Sequence, residues 1–204
     1  MSTADQRRAP RKAVGVAKTL AFMLGLAGAF IQSADAPAQS DAPKLPPELA
    51  AVRDLLAKYQ DPVAAVRDGY FSTLGCVHYE SGAMGIHFLN PALVSPTVDP
   101  GKPQILVYEP VGDRLELVAA EWFVPLATGV AERPSLFGRP FDGPMEGHEP
   151  LMPQALHHYD LHVWLFKDNP RGTFAATNPA VSCDGYGYAF LEQPTATVAH
   201  HGAH

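Results

Sequence analysis

Near Phe71 the apolar pattern of this chain changes period, and that change restricts its fold more than any other feature. Before it, from Pro46-Pro47, apolar residues recur at helical spacing. They are Leu49, Val52, Leu55 and Leu56, running to about Tyr59, with charges on the other face. Proline suits a helix start, because its fixed φ fits the first turn and its missing N–H is not needed there. Asp61-Pro62 reads as the cap and first residue of a second short helix, with Val63, Val66 and Tyr70 apolar and Gly69 near its end. After Phe71 the chain breaks into short apolar runs, at 75–79, 84–89, 104–109, 115–124, 160–166 and 187–191. The third and fourth flank Pro110-Val111-Gly112-Asp113-Arg114, a short loop of hairpin type. Helices followed by strands predict an α+β domain, with N-terminal helices packed on a curved antiparallel β-sheet. A β-sandwich with a helical N-terminal appendage is the alternative. Residues 126–158 carry Pro134, Pro140, Pro144, Pro150 and Pro153. They read as a long irregular excursion, and such loops in compact domains are usually functional or mobile.

Upstream of the helices lies a different kind of segment. Arg7, Arg8, Arg11, Lys12 and Lys18 precede an apolar run from Thr19 to Ile31, and Ala36-Pro37-Ala38 follows. A basic stretch, a short apolar core and an A-x-A site form the pattern of a cleavable secretory signal. The apolar run is shorter than the roughly 20 residues a spanning helix needs. The organisation expected is a signal over 1–38, a flexible lead-in over 39–47, one α+β domain over 48–194, and a flexible histidine-containing tail over 195–204. Export to the periplasm or the extracellular space follows.

Removing the first 38 residues takes five of the 15 basic and two of the 21 acidic residues, leaving a net charge of −9. That balance argues against nucleic acid, whose phosphates want clustered Lys and Arg, and against anionic membranes. The mature part has no second long apolar run, hence no expected membrane segment. Cys76 and Cys183 are the only cysteines. In an oxidising compartment an isolated pair reads as a disulfide, with two buried thiols or a thiolate metal site as alternatives.

Three strands that are apolar on both faces each hold an ionisable residue near the middle. They are His87 in Met-Gly-Ile-His-Phe-Leu, Glu121 in Val-Ala-Ala-Glu-Trp-Phe-Val, and His162 in Asp-Leu-His-Val-Trp-Leu-Phe. Alternation puts Glu121 on one face with Leu117, Ala119 and Phe123. An unpaired buried carboxylate costs several kcal/mol, so Glu121 needs a partner or a cavity. Should the three share a face, they form a two-histidine, one-carboxylate set, a recurring ligand group for a divalent transition metal such as Zn, Cu or Fe. His158 extends the set, since His158, Asp160 and His162 lie on one face at i, i+2, i+4. His157, His78 and Glu80 are weaker candidates, and His200, His201 and His204 end the chain. Trp122 and Trp164 are expected to line the same cavity as ligand-binding residues. No G-x-S-x-G, C-x-x-C, phosphate-binding glycine loop or EF-hand loop is present. The leading expectation is a secreted or periplasmic protein that binds a metal ion or small ligand. A small metal-assisted or acid/base enzyme could use the same residues, with Glu121 or His162 as base or a metal-bound water as nucleophile. An envelope-interaction protein without an active site is the third possibility.

Overall fold

The computed structural model describes residues 44–200. The expected signal segment, much of the lead-in and the last histidines, His201 and His204, lie outside them. Two helices come first, α1 (Pro47–Leu56) and α2 (Pro62–Arg67), joined by a 3₁₀ turn at Ala57–Gln60. Pro47 opens α1, which buries Leu49, Val52 and Leu56 along one stripe. The Asp61 carboxylate caps α2 by accepting from the Val63 amide. That short helix buries Ala65, leaving Val63 and Val66 exposed, contrary to the apolar face expected of them.

Nine strands follow: β1 (Phe71–Tyr79), β2 (Gly82–Leu89), β3 (Ile105–Val111), β4 (Arg114–Pro125), β5 (Ser135–Leu136), β6 (Arg139–Pro140), β7 (Asp142–Met145), β8 (His158–Val163) and β9 (Ala189–Leu191). Seven of them make one curled sheet in the order β7-β8-β4-β3-β2-β1-β9, while β5 and β6 form a separate small hairpin. The protein is thus mostly strand, with few helices, built on one large sheet and not on two stacked ones. The sheet is mixed where an antiparallel one was expected, because β9 runs parallel to β1. The Cys76–Cys183 disulfide, spanning 107 residues, ties the returning chain to β1 just before this pairing.

Local chemistry sets the register. Gly112 turns the β3–β4 hairpin with a φ of 61°, a backbone region that side chains other than glycine rarely adopt. On β4 the register slips: Val107 pairs with Ala119 but Tyr108 with Leu117, so Val118 is an extra residue, a bulge. Leu117 therefore falls on the face opposite Glu121, not beside it as strict alternation predicts. The bulge also ends the β4–β8 ladder, whose last pair is Ala120 with Val163. Beyond it Phe166 bonds the bulged Val118 carbonyl, and Trp164 bonds Thr173. The strand expected to reach residue 166 stops at Val163 for this reason.

On one face of the sheet, Tyr108 donates from its hydroxyl to the carbonyl of Tyr59, which is itself buried after α1. The other face carries Ile105, Val107 and Phe123 together with the ionisable residues. The excursion at 126–158 is only partly irregular, since β7 adds to the sheet edge beside β8. The segment expected to be a free tail is tied in as far as His200: Glu146 and Pro144 exchange backbone bonds with Ala196 and Val198, and His200 meets the Tyr159 hydroxyl at 2.9 Å. Among the described residues no helix is long and apolar enough to cross a membrane.

Candidate metal centre

Strand register brings the three central residues together. Glu121 on β4 stands directly opposite His162 on β8, and such cross-strand pairs share a face with Cβ atoms about 5 Å apart. On its other side Glu121 stands opposite Ile105 of β3, whose neighbour Val107 pairs with His87 of β2. His87 thus reaches across β3 to the same carboxylate. Glu121 Oε2 lies 3.2 Å from His162 Nε2 and 3.3 Å from His87 Nε2. Glu121 and His162 are buried, and the His87 side chain is 14% exposed.

These distances admit one ion. Zinc holds nitrogen and oxygen donors at about 2.0–2.2 Å, and tetrahedral donors around it stand about 3.4 Å apart. The pairing also leaves atoms unsatisfied. Glu121 Oε2 and His162 Nε2 sit at ion-pair distance, yet neither makes a properly directed hydrogen bond. Burial opposes charge on Glu121, but His162 and His87 outweigh it and hold its carboxyl well below the usual carboxylate range. Burial opposes a charged His162 too, and the Glu121 carboxylate, helped by Asp160 and Asp142, pushes its imidazole up to about 9. Without a metal the group is a buried ion pair, a costly arrangement unless its geometry is good.

Above this floor lies a cavity of about 170 Å³. Val77, Met84, Ile105 and Phe123 form its sheet side, and Leu151, Met152, Pro153 and Leu156 cover it from the segment between β7 and β8. We call that segment, residues 146–157, the roof. Among the described residues the buried side-chain polar atoms without a hydrogen bond are Thr73 Oγ1, Glu121 Oε2, His162 Nε2 and Glu192 Oε1. Thr73, Glu121 and Glu192 line this cavity, and His162 abuts it through Glu121. Orphaned buried polar atoms are rare in folded proteins, and here they gather around one cavity.

The other expected residues are placed differently. His158 joins His148 and Asp160 farther along the same face of β8, in the lining of the same cavity. Trp122 adjoins Glu121 in a strand, so its ring points to the opposite face, where its indole N–H donates to Asp99. Trp164 follows the end of β8 and donates to Ala175. Both tryptophans are buried, and neither lines the cavity. His78 and Glu80 line a separate depression beside Cys183. The sequence reading missed His148, Tyr79 and Glu192, which come from a loop, a bulged strand and a chain end and carry no periodic signal. Compared with protein-family models, with curated proteins and with solved structures, the chain has no significant match.

Proposed function

We propose that this is an exported protein whose domain over 48–194, an α+β unit with its N-terminal helices on the sheet, holds a divalent transition metal ion. His87, Glu121 and His162 are the ligands. The observation that carries this reading is the meeting of Glu121 Oε2 and His162 Nε2 at 3.2 Å, both buried and neither hydrogen-bonded. An ion supplies the positive centre that satisfies both atoms and His87 at once. Two imidazoles and a carboxylate suit zinc, copper or iron. Three protein donors leave coordination positions open, and the cavity gives them an apolar space large enough for a few heavy atoms. Binding and storage use the ion alone. A small metal-assisted enzyme would also use the open positions, and the apolar walls beside them favour an apolar substrate. The N-terminal signal pattern and the disulfide support export.

The test is metal content. Protein stripped with chelator and reloaded with Zn²⁺ should retain the ion through desalting. Glu121→Gln keeps the shape and removes the ligand charge. It should weaken zinc at this site by more than about 100-fold, since even changes behind a ligand cost 10–100-fold. Unchanged zinc affinity in Glu121→Gln, with the fold intact by circular dichroism, refutes the reading.

A further inference from the structure

In the lining of the same cavity His148, His158 and Asp160 place one donor atom each within 4.8 Å of one another. His158 and Asp160 are buried on β8, two residues apart and so on one face, while His148 comes from the roof. Each histidine has its second ring nitrogen engaged. His158 Nδ1 lies 3.0 Å from the Leu156 carbonyl, which can only accept, so Nδ1 carries a proton. In the neutral ring Nε2 is then a bare lone pair, and it faces Asp160 Oδ2 at 3.8 Å. That is too long for a hydrogen bond, but it suits two donors on one ion, which stand at most about 4.2 Å apart.

His148 Nδ1 lies 3.2 Å from the Tyr79 hydroxyl and 3.3 Å from Glu192 Oε2. The hydroxyl gives its proton to the same Glu192 oxygen at 2.9 Å. His148 Nδ1–H is therefore the donor toward this pair, which leaves its Nε2 free. Imidazoles oriented by a carbonyl or carboxylate behind them are the usual surroundings of metal-ligating histidines. Glu192 is 6% exposed and lines the cavity, and its Oε1 has no hydrogen bond. A proton between His158 and Asp160 would satisfy that pair but would give His148 no role there.

We infer that His148, His158 and Asp160 form a second divalent-metal site, with ligands of its own, which fastens the roof to the sheet. Asp160 stands between His158 and His162 on the same face of β8, two residues or about 7 Å from each. The two ligand sets are therefore neighbours that share no residue. One lies on the cavity floor, and the other holds the cover. Tyr79 and Glu192 are positioning residues that aim His148.

The experiment is a Zn²⁺ titration of the metal-stripped exported protein, read by stoichiometry and by hydrogen exchange of residues 146–157. The wild type should take up two ions per chain, and zinc should slow exchange in the roof. His148→Ala should bind one ion and lose the slowing, while Glu121→Gln should keep the slowing. Tyr79→Phe should weaken the second site by about 10–100-fold. Wild-type stoichiometry and roof protection in His148→Ala overturn the inference. A single ion lost in Glu121→Gln but kept in His148→Ala also overturns it and leaves the proposed function standing. A single ion with the reverse pattern supports the second site and sinks the first. No zinc bound at all overturns both.

Discussion

Glu121 was legible as a residue that needs a partner, because a carboxylate in an apolar strand has few other fates. Its partner His162 follows from register alone. The neighbour Trp122 was drawn into the same expected cavity by its aromatic size, although a strand sends adjacent side chains to opposite faces. Chemistry at this scale has a pH signature. In metal-free protein His162 ionises at about 9 against an ordinary 6.5, so its contribution to stability is full below about 6.5 and is lost as pH rises toward 9. Glu121 is depressed below 4.5, so its contribution is present above that value and is lost as pH falls through its lower folded value. Metal displaces the His162 proton, so binding strengthens as pH rises through the same window. Thermal unfolding should therefore show the stripped protein losing stability from pH 6.5 to 9 while the stabilisation by Zn²⁺ grows. A zinc-induced shift that is flat across that window would deny His162 a ligand role.

Elements with strong period were readable and elements without it were not. Helix α1 and strands β1 to β4 follow from spacing and turn residues, to within a few positions. The bulge at Val118 was hidden, since an inserted residue leaves the composition of a strand unchanged, and it moved Leu117 to the other face. Strand β9 lies within the run expected at 187–191, but its parallel pairing with β1 was not legible, a contact set by the disulfide and by distant chain. The roof was legible only as a proline-rich excursion, yet its contribution is specific. Gly147 packs so tightly that a Cβ there would stand 2.0 Å from the Pro153 carbonyl oxygen, across the bond from its own amide to Gln154. Gly147→Ala should lift the roof and cost about 1–3 kcal/mol, as overpacking does. It should raise proteolysis within residues 146–157 and leave zinc on the cavity floor. Equal stability and equal proteolysis would show that the roof is not closely packed.

At the scale of the molecule, the cysteine pair was the firmest reading, because an isolated pair in a chain expected to be exported has one common use. The bridge closes a loop spanning 107 residues and secures the start of the sheet to the chain that brings Glu192 back to it. The Cys76→Ser, Cys183→Ser double variant should lose up to roughly 4.7 kcal/mol, as the loop-closure model gives, read by denaturant unfolding. A loss below about 1 kcal/mol would mean that the unfolded chain gains little freedom from the cut. The curl of the sheet, by contrast, could not be read from strands taken singly, nor could the strand order that leaves only β3 between His87 and Glu121. The proposed ion belongs at the meeting point of His87, Glu121 and His162. Crystals of the zinc-loaded protein, measured on both sides of the zinc absorption edge, test it most directly. An anomalous peak about 2.0–2.2 Å from His87 Nε2, Glu121 Oε2 and His162 Nε2 is the result predicted. Zinc density absent from those three atoms, in crystals carrying zinc elsewhere or nowhere, would contradict it.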